Sequence, residues 1–557
     1  MTHLWNVLTD AAREETRLNL PLEGTGFPFR ELLASAERTA GQIGAELAAR
    51  GRTPRRIGIL MNNGEPWVRG LLAALRLDAA AVPLPLPVAF AGAKAYADHL
   101  RRIAEKAELD AVLVDGSLGR LEGAVAAEIG AVALIDIARV PETGGPAAPV
   151  GPGGDALAVI QFTSGSTSAP KGVTLTHSNV LAGLEAILSA TDWQREDALG
   201  LWLPLFHDMG LFSMLASLSV GSTVHLWKPS DFIRRPLKWL QSFSDARATS
   251  LPAPNFFYEL LAKTAAEQGV PEGIDLSYWR TAGNGAEPVQ ARTLEEFTAT
   301  FAPYGFPSWA LLPLYGMAEA TLIVTGTPHG GRRSLTVDRD RLGSGNGVRF
   351  TDAADARART VVSCGTPVAN IRLRIGDGTG AALPDGTVGE IQITGPAVTG
   401  GYLDLPVRDQ PFTPDGWLRT GDLAFLHEGE VYVIGRAKDL IIVHGQNFYA
   451  EDVEEIVRTA PGLDKQRCAA FAWNGDGAGG GEGPERMVVL YETSYPSERL
   501  EALSASIRER LVDHLGLDRV EVRPVSPSSI PFTTSGKVKR HDARRLLAAP
   551  TSDEGNP

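Results

Sequence analysis

Two cysteines, Cys364 and Cys468, in a chain of 557 residues leave no disulfide framework and no Cys/His spacing of the kind that grips zinc. This scarcity predicts a reducing, cytoplasmic setting. Long apolar runs are missing as well. The apolar segment from Ala79 to Ala93 is broken by Pro83, Pro85 and Pro87, and no stretch reaches the ~18 uninterrupted apolar residues of a bilayer span. The N-terminus, MTHLWNVLTDAAREE, carries Asp10 and Glu14 where a signal peptide would want basic and then apolar residues. Neither export nor a membrane span is predicted. Basic residues number 53 against 66 acidic ones, for a net charge of -13, and no long Lys/Arg cluster offers a face to a phosphate backbone. Nucleic acid is therefore excluded as a partner. A G-x-S-x-G elbow is also absent, which argues against a conventional serine hydrolase.

What is present is an ordinary globular composition, 44% hydrophobic and 21% charged, in a chain too long for a single core of ~250–300 residues. With 60 glycines and 37 prolines, many turns between short elements are expected. From Phe29 to Arg50 apolar residues recur at helical spacing; Arg56 to Met61 reads as a strand, Pro66 to Leu77 as a helix and Ala79 to Pro83 as a strand. A helix from Ala93 to Ala107 and strands at Ala111–Val114 and Ala131–Ile137 continue this βαβ rhythm of a doubly wound α/β sheet. After Val361, short strands with glycine turns (Ile371–Ile375, Gly389–Ile393, Glu430–Ile434) predict a β-rich subdomain over about 361–435. Beyond Arg436, helix, strand and helix alternate at Ala450–Arg458, Met487–Tyr491 and Arg499–Leu515. The expected division is thus a large body, 1–435, and a small α+β tail domain, 436–557. Gly475 to Gly483 reads as a surface loop inside that tail.

The motif QFTSGSTSAPKG, from Gln161, runs an apolar strand into hydroxyls, glycines and a lysine, a combination suited to gripping phosphate. It is not a Walker loop, because Pro170 stands before Lys171 where glycine is required. WLPLFHDMGL, from Trp202, sets His207 and Asp208 in an apolar frame, where a lone histidine is commonly a core residue. YGMAEAT, from Tyr315, puts Glu319 among small residues, as a Mg²⁺ site that borrows substrate phosphates would need. Asp422 follows Thr420 and Gly421 and could accept ribose hydroxyls, although an isolated Gly-Asp is commonly a turn. TTSGK, ending at Lys537, lifts a lysine on a polar loop, as delivery of a mobile charge to a reacting phosphate would require.

In this order and spacing these segments, with NGAEP at Asn284, TGD at Thr420 and GRAKD at Gly435, resemble the adenylate-forming superfamily over nearly the whole chain. Within it, HDMGL, DFIRRPLKWL, APNF and KDLIIVHGQNFYAEDVE look most like the fatty acyl-AMP ligases, and the polar stretch between Thr327 and Val362 resembles their insertion. The resemblance implies an acyl-CoA synthetase-like fold with a mobile C-terminal domain. It also implies ATP and Mg²⁺ as cofactors, and a reaction in which a carboxylate attacks the α-phosphate and expels pyrophosphate. By similarity, Thr163, Ser164, Gly165, Ser166, Thr167 and Lys171 would hold the β and γ phosphates, Asp422 and Arg436 the ribose, and Gly285, Ala286, Glu287, Tyr315, Gly316 and Met317 would frame the nucleotide. Glu319 would position the metal, His207 would lie between acyl pocket and α-phosphate, Lys537 would act on the reacting phosphate and Lys438 would be the hinge.

Trp202, Phe206, Met209, Phe212 and Phe256 are the expected acyl-pocket residues, although each aromatic could equally be core. The resemblance implies a carboxylic, fatty, acid as substrate and the thiol of a separate acyl carrier protein as acceptor. An acyl-CoA ligase using free CoA, an aryl-acid adenylating enzyme and a non-catalytic acyl or nucleotide sensor remain as alternatives.

Overall fold

A computed structural model describes residues 2–548 except 88–91, 131, 140–149, 152, 164–169, 356, 444–445, 466, 474–485, 517–519 and 533–536. Two large sheets form the body. In the first, strands Ala133–Asp136, Ala111–Val114, Arg56–Ile59, Ala80–Pro83 and Leu157–Thr163 lie side by side and parallel. Ala111–Val114 and Ala80–Pro83 are buried at every position, which explains why they read as continuous apolar runs rather than alternating ones. The sixth strand, Lys171–Thr176, returns antiparallel to Leu157–Thr163, pairing Thr163 with Lys171. The two described ends of the phosphate-type motif, Thr163 and Lys171, thus lie on paired antiparallel strands, and no helix follows Lys171 directly as it would in a Walker loop. Ser164, Gly165, Ser166 and Thr167 lie outside the described residues.

The second sheet has nine strands, and its central members Leu311–Gly316, Thr281–Asn284, Ser250–Ala253 and Leu199–Leu201 run parallel. Beneath it, Trp239, Phe243, Phe257, Trp279 and Phe297 are fully buried and meet edge-to-face, tilted or stacked, with ring centroids 4.7–6.5 Å apart. Helices and strands read from the sequence appear with ends shifted by a residue or two, such as Phe29–Ala49 for the first long helix and Glu65–Arg76 for the next.

A four-stranded antiparallel sheet follows, Arg372–Gly376, Gly389–Thr394, Leu418–His427 and Glu430–Arg436. The polar stretch before it folds as a hairpin, Ser334–Asp338 against Ala358–Val362. After Arg436 the chain makes a single 3-10 turn, Ala437–Asp439, and enters separate sheets: Leu440–Val443 with Gln446–Tyr449, then Cys468–Trp473, Arg486–Glu492 and Val520–Val525. Helices Ala450–Arg458 and Ser497–Leu515 close over a core of their own, in which Val453, Val457, Val489, Ile507 and Leu511 are fully buried.

Body and tail meet along a seam of polar contacts. Arg359 Nη2 lies 2.8 Å from Asp452 Oδ1, Gln290 Nε2 donates to Glu455 Oε2 at 3.1 Å, and Arg339 Nη1 donates to the His514 carbonyl at 2.7 Å. Tyr449 is an apolar pin through the seam: its ring joins the body's Leu423 and Ile434, and its hydroxyl donates to the Leu342 carbonyl at 2.6 Å. A Cβ at Gly435 would stand 2.5 Å from Tyr449 Cδ1, so the ring rests where a side chain is missing.

Candidate active site

Asp422 and Arg436 face each other across adjacent antiparallel strands, and the register puts Arg436 Nε 3.0 Å from Asp422 Oδ1. Tyr315, at the end of a parallel strand of the nine-stranded sheet, donates its hydroxyl to the other oxygen of Asp422 at 2.7 Å. Asp422 is therefore held from both sides by donors, one of them cationic, in a buried setting. The Asp422 carboxylate keeps Arg436 firmly protonated, while burial drives the Tyr315 phenol far above its ordinary range. The Gly-Asp pair is mid-strand rather than a turn, a correction to the commoner reading of those residues.

Glu319 lies in a short 3-10 turn, Ala318–Ala320, and is only 8% exposed. Burial raises its pKa. Its Oε1 accepts the Tyr402 hydroxyl at 2.5 Å, and Lys171 Nζ sits 5.4 Å from the centre of the same Tyr402 ring. Tyr402 thus links the lysine of the phosphate hairpin to the buried carboxyl. Two residues on, Thr321 is strained at φ +64°, held by its hydroxyl, which donates to the Asn179 and Ala397 carbonyls at 3.2 and 3.1 Å. A buried carboxyl held in this way fits a hard divalent cation, which takes oxygen ligands and shares them with phosphate.

Gly285, Ala286 and Glu287 continue from strand Thr281–Asn284. Glu287 Oε2 accepts the Phe256 N–H at 3.0 Å; burial raises the Glu287 pKa and the charge of Lys537 pulls it back down. Lys537, from the tail, is thus close enough to Glu287 for its charge to be felt there. Lys438 lies in the Ala437–Asp439 turn, where burial and neighbouring Arg436 lower its pKa. His207 immediately precedes helix Asp208–Ser219, its ring 4.5 Å from Phe206. Met317 Sδ lies 3.9 Å from the Tyr315 hydroxyl, and Gly316 lets the chain pass the Leu322 carbonyl, which a Cβ would meet at 2.0 Å.

A cavity opens beside these groups. Gly285, Ala286, Tyr315, Gly316 and Asp208 line one end and Thr191, Trp193, Leu199, Ser250 and Thr281 the other. Of the five expected acyl-pocket residues, only Met209 lines it. Trp202 and Phe212 are packed in the main core, Trp202 between Phe232 and Phe257 at 4.5 and 5.5 Å, whereas Phe206 belongs to the core of the first sheet. Phe256 packs on the core edge-on to Trp202 and is not among the residues that line the cavity. None of these four lines this cavity. Sequence reasoning missed Tyr402 and the walls Ile187, Leu251, Leu314 and Leu322; the alternation Thr281-x-Gly283-x-Gly285 was the available signal.

Comparison with known proteins matches residues 10–403 to the family model described as AMP-binding enzyme. The chain is 38% identical over 418 residues, 72% of its length and 69% of the relative's, to the medium-chain-fatty-acid–[acyl-carrier-protein] ligase JamA of Moorena producens. It is 33% identical to a putative acyl-CoA synthetase of Caulobacter vibrioides over 98% of this chain and 96% of the relative. A structure from studies of fatty acyl-adenylate ligases of E. coli and L. pneumophila superposes with a TM-score of 0.89 at 28% identity, covering 98% of both chains.

Proposed function

The chain belongs to the AMP-binding, adenylate-forming enzymes, and on that premise we propose that it activates a fatty acid with ATP to acyl-AMP, releases pyrophosphate and passes the acyl group to the thiol of a separate carrier protein. One observation carries this reading: Tyr315 belongs to two compartments at once. Its ring lines the apolar cavity and its hydroxyl holds the Asp422–Arg436 pair. A nucleotide seated on the polar side and an acid seated on the apolar side would meet there.

In this reading Asp422 and Arg436 hold the ribose, with Gly285, Ala286, Glu287, Gly316 and Met317 framing the nucleotide. Lys171 and the hairpin tip from Thr163 through Ser164, Gly165, Ser166 and Thr167 hold the outgoing phosphates, and His207 stands between acid and α-phosphate. Glu319 is the Mg²⁺ ligand, the cation supplying neutralisation of phosphate charge. Lys537 stabilises charge that builds on the pentacovalent α-phosphorus. Residues 1–435 act as the adenylating body and 436–557 as a tail that turns about Lys438.

The test is acid-dependent exchange of labelled pyrophosphate into ATP, with mass detection of the acyl-adenylate. Lys537→Ala should lower exchange by about 10²–10³-fold while ATP still binds; undiminished exchange removes Lys537 from the reaction. Offering the acyl-adenylate either CoA or a holo-carrier protein separates the carrier reading from the CoA ligase suggested by the Caulobacter relative's name.

A further inference from the structure

Along strand Thr281–Asn284 and into Gly285, alternate positions face the same side, and Thr281, Gly283 and Gly285 line the cavity, joined by Ala286 where the chain turns at φ +64°. The two glycines add no side chain to this wall, and Leu314 packs close over them: a Cβ at Gly283 would stand 3.1 Å from Leu314 Cδ1, and one at Gly285 would stand 3.0 Å from the Leu314 carbonyl oxygen. Thr281 is the first residue of this series to carry a side chain. It lies in one register row with Ser250 and Leu199, both of which also line the cavity.

Behind this row the protein is polar. Thr281 Oγ1 is 3.3 Å from His329 Nε2, and Arg280 Nε lies 3.1 Å from Asp197 Oδ1, with the Thr249 hydroxyl donating to the same oxygen at 2.7 Å. An alkyl end entering this layer would separate groups that it cannot hydrogen-bond.

We infer that Thr281 is the floor of the acyl cavity and that it limits the enzyme to medium-chain acids, of about ten carbons at ~3.3 Å of strand rise per residue from Thr281 to Gly285. The length follows from four residues of strand, about 13 Å, divided by the ~1.25 Å that an extended chain advances per carbon for C–C bonds of ~1.5 Å at ~111°. The inference rests on the adenylation reading above and adds to it the acid's length and the residue that sets it.

Pyrophosphate exchange on the full chain with butanoate, hexanoate, decanoate, tetradecanoate and hexadecanoate tests it. For the unaltered protein, kcat/KM should climb by up to about fourfold per CH₂ as far as decanoate. It should then fall by about tenfold or more at hexadecanoate, whose tail must enter the polar layer. Thr281→Gly should move the optimum toward tetradecanoate. Gly283→Val should raise the butanoate-to-decanoate ratio by about tenfold or more, since only two residues of bore, about five carbons, remain. Gly283→Ala, with a single methyl against a mobile leucine end, should move the ratio the same way and covers the case in which valine does not fold. Equal rates on decanoate and hexadecanoate, or an optimum that moves in neither the Thr281 nor the Gly283 variants, would overturn the floor assignment alone. Exchange with none of these acids would overturn the adenylation of a fatty acid and the floor with it.

Discussion

The body and the tail are each held by an apolar core, yet the seam between them is made of a different material. Inside the body, aromatic rings from several elements share one buried cluster; inside the tail, Val453, Ile507 and Leu511 do the same on a smaller scale. Between them lie Arg359–Asp452, Gln290–Glu455 and a carbonyl held by Arg339, with Tyr449 as an apolar pin. A core resists opening in proportion to the area that would meet water, whereas ion pairs and hydrogen bonds can be exchanged for water or for new partners at small net cost. The proposed turning of the tail against the body would be served by such a seam and hindered by a core.

The contrast can be broken most sharply within the body. Phe297, fully buried against Tyr258, Trp279 and Phe306, when changed to Ala should cost about 3–5 kcal/mol in a chemical-denaturation midpoint read from body fluorescence. A loss under about 1 kcal/mol would mean that the aromatic cluster is not what holds the body.

A smaller effect is expected where the body itself uses polar contacts. His3 and His177 are buried with rings 3.8 Å apart; the Nδ1 atoms accept backbone N–H groups of Trp5 and Leu4, and His3 Nε2 contacts Asp78 at 3.1 Å. With Nδ1 accepting, the neutral rings carry their protons on Nε2, an arrangement made for hydrogen bonding rather than for a metal. Burial pushes His177 down to about 4 and lowers His3 as well. Both are therefore neutral in the folded chain but protonate below ~6.5 when unfolded. Their contribution is fully present above that pH and is lost as pH falls toward about 4, by up to about 3 kcal/mol for His177. His177→Gln should flatten the fall in stability between neutral pH and pH 4; an unchanged slope would remove the histidine pair from acid sensitivity.

The smallest effect on stability belongs to the seam. Replacing both partners, Arg359→Met with Asp452→Leu, should change the denaturation midpoint by about 1 kcal/mol or less, since an apolar pair can stand in for a desolvated ion pair. It should alter acyl transfer more than adenylation. Equal changes in the two half-reactions would mean that the seam plays no part in the tail's movement.

Much of this architecture was legible before the fold was known, because the parallel strands are buried on both faces and announce themselves as apolar runs. The polar half of the site was legible for a related reason: Asp422, Arg436, Tyr315 and Glu319 stand in short stretches whose residue types make sense only together. Tyr402 was not, because it reaches Glu319 from 83 residues away and its own surroundings suggest only a loop. The lining of the cavity was not legible, for a more general reason. Around His207 and Asp208 the side chains are mostly apolar, and which of them faces space and which faces a neighbour depends on helix phase and on the packing of Phe232 and Phe257, neither of which local composition contains.

The bore between Gly283 and Gly285 is defined by atoms that are not there. Any amino-acid replacement at either glycine adds atoms, and a single change in the second base of a glycine codon already reaches alanine or valine. Mutation at these two positions can therefore narrow the range of acids the chain accepts but cannot widen it, while widening has to begin at Thr281. Descendants of this gene would drift more readily toward shorter substrates than toward longer ones.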